Sequence, residues 1–164
     1  MTDHVLARRG LGRVRRVALA LLWLAALGSS APPSRGAEPA LAVIVAAGRA
    51  PAAAVSTAML ANIFTRKRLR WPDGSPAVPV NLPAQQPLRR AFSLWMFGRS
   101  PEDMQPFWDD QYYHGVLPPP VLASEEAVLR FVAETPGAVG YVSVCAADRR
   151  VQVLATSGGA TCTH

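Results

Sequence analysis

The run Leu41-Ala-Val-Ile-Val-Ala-Ala47 constrains the fold more than any other part of the chain. It is continuously apolar, rich in branched residues and bounded by Pro39 and Gly48. Without alternation, neither face of such a strand is suited to water, and the run is short for a helix. A strand buried on both faces is the habit of parallel sheets that helices cover on either side. The rest of the sequence has to supply those helices.

It does so in alternation. Ser56 stands as N-cap before Met59, Leu60, Ile63 and Phe64 at helical spacing. The cations Arg66, Lys67, Arg68 and Arg70 follow, on the side favoured by the helix dipole, and then the turn sequence Trp71-Pro-Asp-Gly74. Pro76 to Leu82 reads as a second strand, its prolines pointing to an edge or a late start. Leu88, Ala91, Phe92, Trp95 and Met96 give a helix one apolar face, closed by Gly98. Ser100-Pro-Glu-Asp103 predicts the start of a helix running toward Tyr113. After the proline-rich stretch 115–120 and the short apolar segment Val121-Leu-Ala123, Ser124-Glu-Glu126 opens a helix that Pro136-Gly137 ends. Ala138–Val144 and Val151–Leu154 read as strands joined by the turn at 148–150. Strands alternating with helices predict an α/β layer structure with a mainly parallel sheet.

The first 37 residues stand apart. Five arginines between Arg8 and Arg16, an 11-residue apolar run from Val17 to Leu27 and the small residues up to Ala31 follow the order of a secretory signal peptide. The apolar run falls short of the roughly 20 residues a membrane-spanning helix needs. This divides the chain into a signal peptide and leader at 1–37 and one exported, periplasmic domain at 38–164. It also accounts for the charge. Of 17 basic residues six precede Glu38, against one of 11 acidic residues, so the formal +6 falls to about +1 in the domain. The basic excess serves translocation, and a nucleic-acid partner is not expected. In an oxidising compartment Cys145 and Cys162 are expected to pair as a disulfide, the competing reading being a buried thiol and a separate thiol in the tail.

Taken in chain order, Leu41–Ala47, Val55-Ser56, Ile63-Phe64, Trp71–Gly74, Val78–Leu82, Arg89–Phe92 and Gly137-Ala-Val-Gly-Tyr141 resemble the phosphate-type solute-binding proteins of bacterial ABC transporters. The resemblance spans roughly residues 41 to 155. It implies a type 2 periplasmic-binding-protein fold, and the length fits one three-layer lobe of the two that such proteins close over an anion. It also implies a non-catalytic role, binding phosphate or another small anion with a membrane permease as partner.

The residues depart from the family where phosphate would sit. Asn81-Leu-Pro-Ala-Gln-Gln-Pro-Leu-Arg-Arg90 carries no Ser-Gly-Thr loop, and Pro83 and Pro87 remove two amide donors. In open α/β sheets ligands favour the carboxyl ends of strands. On that rule Arg49, Ser56, Gln86 and Arg89 are the candidate ligand-binding residues, with Gln85 and Arg90 beside them. The competing account leaves the arginines as solvated surface charges. His114 and Cys145 with Asp109 or Asp110 lack the spacing of a catalytic set, and no zinc-ligand spacing exists, so neither catalysis, metal nor cofactor is expected. A second functional reading makes the domain a periplasmic interaction or sensor module whose exposed cleft face meets a protein partner or another copy.

Overall fold

The computed structural model describes residues 39–49, 51 and 54–158. The expected signal peptide and leader lie outside these residues, as does Cys162, one end of the expected disulfide. Among these residues four strands and four α-helices follow one another as β1 (Leu41–Ala46), α1 (Thr57–Phe64), β2 (Val78–Pro79), α2 (Pro87–Phe97), α3 (Gln105–Tyr113), α4 (Glu125–Glu134), β3 (Ala138–Ser143) and β4 (Val151–Ser157), with a short 3-10 helix at Val144–Ala146 before β4.

All six residues of β1 are buried, as its unbroken apolar run demands. The sheet order is β2-β3-β1-β4, so β1 lies inside it. Strand direction corrects one expectation. β1 runs antiparallel to both β3 and β4, and only β2 and β3 are parallel, which makes the sheet mixed rather than mainly parallel. Double burial reports that helices cover both faces. It carries no information on direction, which the long connections decide.

Two adjacent residues of β3 show the layers. Tyr141 faces α2, its ring stacked on Phe92 at 3.8 Å and 3°. Gly140 faces the other way, where an added Cβ would stand 2.5 Å from Val128 and 3.3 Å from Val132 of α4. Successive strand residues point to opposite faces, so α2 and α4 cover opposite sides of one sheet. α1 joins α2, with the Phe64 and Phe92 rings 4.7 Å apart. The result is the expected three-layer α/β lobe.

Local signals mostly act where the sequence placed them. Ser56 and Ser124 cap α1 and α4 by accepting from the amides of Met59 and Ala127. Gly98 closes α2 in the left-handed conformation. At Ser100 the reciprocal bonds with Asp103 form, yet they fix a turn, and α3 starts only at Gln105. β2 is shorter than its apolar sequence, because Pro76 and Pro79 have no amide to offer a ladder. Its line continues as a bridge between Asn81 and Val121, which puts the 118–122 segment along that edge.

Candidate functional site

The carboxyl end of β2 leads directly into a buried polar cluster. Asn81, 5% exposed, accepts a 2.7 Å hydrogen bond on Oδ1 from Nη1 of Arg89. The Tyr141 hydroxyl donates to the same oxygen at 3.4 Å and accepts from the Leu82 amide at 3.1 Å. Burial lifts the Tyr141 hydroxyl above its ordinary pKa of 10, so it stays a neutral donor. Arg89 itself is 8% exposed, and among the described residues no carboxylate pairs with it. A buried guanidinium with only neutral partners is costly unless a counter-charge joins it.

Helix α2 brings Arg89 there. Its N-cap, Gln86, makes no side-chain cap bond and instead donates from Nε2 to the Ala123 carbonyl at 3.1 Å. Pro87 at the first helical position has no amide. That leaves Leu88 and Arg89 to supply the first-turn N–H groups that lack intrahelical acceptors. These groups and the positive end of the helix dipole belong to the same first turn as Arg89.

Gln86 and Arg89 thus share one helix start, while the other two candidates stand elsewhere. Ser56 is exposed, and its hydroxyl is engaged as the cap of α1. Arg49 is exposed after β1 and lines a cavity of about 320 Å³ with Trp71, Asp73, Ser75 and Gly137. Ser75 and Gly137 precede β2 and β3, so this cavity lies at the amino ends of the parallel pair, opposite to Asn81 and Arg89. The antiparallel course of β1 causes the separation: its carboxyl end is next to the amino end of β3. Arg90, which follows Arg89, is exposed and pairs with Glu102 at 3.6 Å. Among the described residues no three His, Cys, Asp or Glu side chains gather as a metal set.

Sequence reasoning did not single out Asn81 or Tyr141 for this cluster. Asn81 carries a visible signal, a carboxamide between Val80 and Leu82 in an apolar strand, where burial requires a hydrogen-bond partner. Tyr141 was visible only as the last residue of the Gly137–Tyr141 segment.

No protein-family model matches the chain, and no curated protein sequence matches it. Solved structures do. An ABC-type phosphate transport receptor from Vibrio cholerae superposes with a TM-score of 0.56 at 20% identity. A putative phosphate ABC transporter substrate-binding protein with bound phosphate from Clostridium perfringens gives 0.55 at 16%. Each match covers 71% of this chain and 45% of the other, so the chain spans less than half the length of either structure. At these identities the likeness is one of fold: the α/β lobe built here is shared with part of each of these two structures.

Proposed function

We propose that this protein is an exported, non-catalytic solute-binding lobe that takes a small oxyanion at the start of α2. The observation that carries the reading is the Arg89 guanidinium, buried, held by the neutral Asn81 and set at a helix N-terminus. Arg89 supplies the charge, the Leu88 and Arg89 amides supply donors, and Asn81 and Tyr141 fix the guanidinium. Gln86 borders the site. The fold shared with two phosphate-transport proteins, one with phosphate bound, supports the same ligand class. Phosphate is the first ligand to try, and a transport permease the partner class that the likeness suggests. The amino-terminal pattern supports export to the periplasm, and N-terminal sequencing of the mature protein checks it.

Thermal unfolding of the purified chain with phosphate, sulfate and a panel of other oxyanions tests the site. Native-state binding at a hundred times Kd adds about 2.7 kcal/mol, so a saturable rise in Tm is expected with at least one of them. Arg89→Met, which keeps the aliphatic volume and removes the charge, should fold and show no rise. Unchanged melting with every anion, or an equal rise in the variant, sinks the assignment.

A further inference from the structure

We propose that two copies of this chain associate through α3 and the basic turn 66–70 about a two-fold axis. This surface is separate from the anion site at α2. α3 has no buried residue, although it carries Phe107, Trp108, Tyr112 and Tyr113. Tyr112 and Tyr113 are 67% and 87% exposed. Asp109 and Asp110 stand four and three residues before Tyr113 and so share its face of the helix. Their carboxylates contact Gln105, Gln111 and His114, and among the described residues neither pairs with a lysine or arginine.

The complementary charge lies next door. Arg66, Lys67, Arg68 and Arg70 crowd one turn, and among the described residues none of them pairs with a carboxylate. Arg68 and Arg70 donate to the carbonyls of Arg70 and Gly74, which pins their stems while leaving further guanidinium donors unused. Leu69 is 54% exposed among them. Lys67 Nζ sits 5.8 Å above the Phe107 ring, so this turn adjoins the amino-terminal end of α3. Asp110 and Tyr113 lie in its carboxyl-terminal half, with Asp109 at its midpoint.

One surface therefore holds a cationic end and an acidic, aromatic end, and among the described residues the cations meet no carboxylate and the acids no lysine or arginine. A two-fold axis across the middle of α3 sets the helix antiparallel to its copy. Each basic turn then meets Asp110 and Tyr113 of the other molecule, a self-complementary contact that closes on itself as a dimer. The arginines gain carboxylates and tyrosine faces together.

Sedimentation equilibrium of the full chain at low salt should show a dimer with a dissociation constant on the order of 10 μM, weakening as salt rises. Arg68→Glu and Asp110→Arg should each be monomeric, with circular dichroism confirming the fold. Mixed together, these two variants should form a heterodimer, because the reversed charges then face each other. Tyr113→Ala, at an exposed position, should weaken association at least tenfold. A monomer at all concentrations, a dimer indifferent to these changes, or no heterodimer from the mixed pair overturns the proposal.

Discussion

The indole of Trp71 donates a 3.0 Å hydrogen bond from Nε1 to the carbonyl of Gly137. Two sequence segments 66 residues apart are thereby one joint. Gly137 O also accepts from the Val78 amide, so the bond sits where β2 first meets β3. The turn Trp71–Gly74 and the segment Gly137–Tyr141 act together because one sets the start of β2 and the other the start of β3.

The two glycines of that segment should be intolerant for different reasons. At Gly137 φ is +76°, and a Cβ would overlap the Pro76 carbonyl oxygen, which is backbone and cannot rotate away. At Gly140 the obstacles are side chains, with Val128 Cγ1 2.5 Å from the added carbon. Gly140→Ala should cost about 1–3 kcal/mol by urea unfolding. Gly137→Ala should cost more, since left-handed strain of about 1–2 kcal/mol adds to the collision. Equal and small losses would contradict the close approach of α4 to β3.

Tyr141→Phe keeps the ring stacked on Phe92 and removes only the hydroxyl. The Leu82 amide then loses its acceptor inside the core. A buried orphan donor should lower stability by about 1–2 kcal/mol in chemical denaturation. The wild-type hydroxyl also sets an alkaline limit. Its folded pKa is raised, mainly by burial, so the stability it contributes is complete below its ordinary value of 10 and declines as pH climbs past that value. The phenylalanine variant should lack this part of the alkaline decline.

What the sequence conveyed divides along range. Ser56, Gly98 and Ser124 end or begin helices through groups within four residues, and each was readable. Leu41–Ala46 was readable as doubly covered because burial leaves its mark on every residue of the run. The direction of β1 was not, since nothing within the strand depends on it, and with direction went the position of Arg49 relative to Arg89. The burial of Arg89 was hidden for a similar reason. Tyr141, which closes the cluster on Asn81, comes 60 residues after it, and no local pattern announces such a contact.

Ser93 offers a change of opposite sign. It lies fully buried on α2, and among the described residues its hydroxyl has no hydrogen-bond partner. Ser93→Ala removes a desolvated polar group and raises helix propensity, with a gain of about 1 kcal/mol expected in the urea midpoint. A loss instead would mean that the hydroxyl is satisfied in solution by a water held within the lobe.

The last prediction concerns Arg150, which grips two carboxylates from different elements. Its guanidinium contacts Glu126 of α4 at 2.8 Å and Asp148 of the turn before β4 at 2.7 Å. Hydrogen bonds from Arg150 are the leading cause that holds both carboxyls below their ordinary values of 4.5 and 3.8. Because their folded pKa values are lowered, the stability they contribute is present above those ordinary values and is lost as pH falls through the folded ones. Arg150→Ala should therefore be less stable than the parent at neutral pH. The gap should narrow on acidification below about 4 and close once both carboxylates are protonated in the parent. Exposure and salt screening keep the neutral-pH difference small, and added salt should shrink it further. Urea midpoints of both proteins from pH 7 down to the acid transition decide the point: parallel curves would show that the contact among Arg150, Glu126 and Asp148 does not couple protonation to folding.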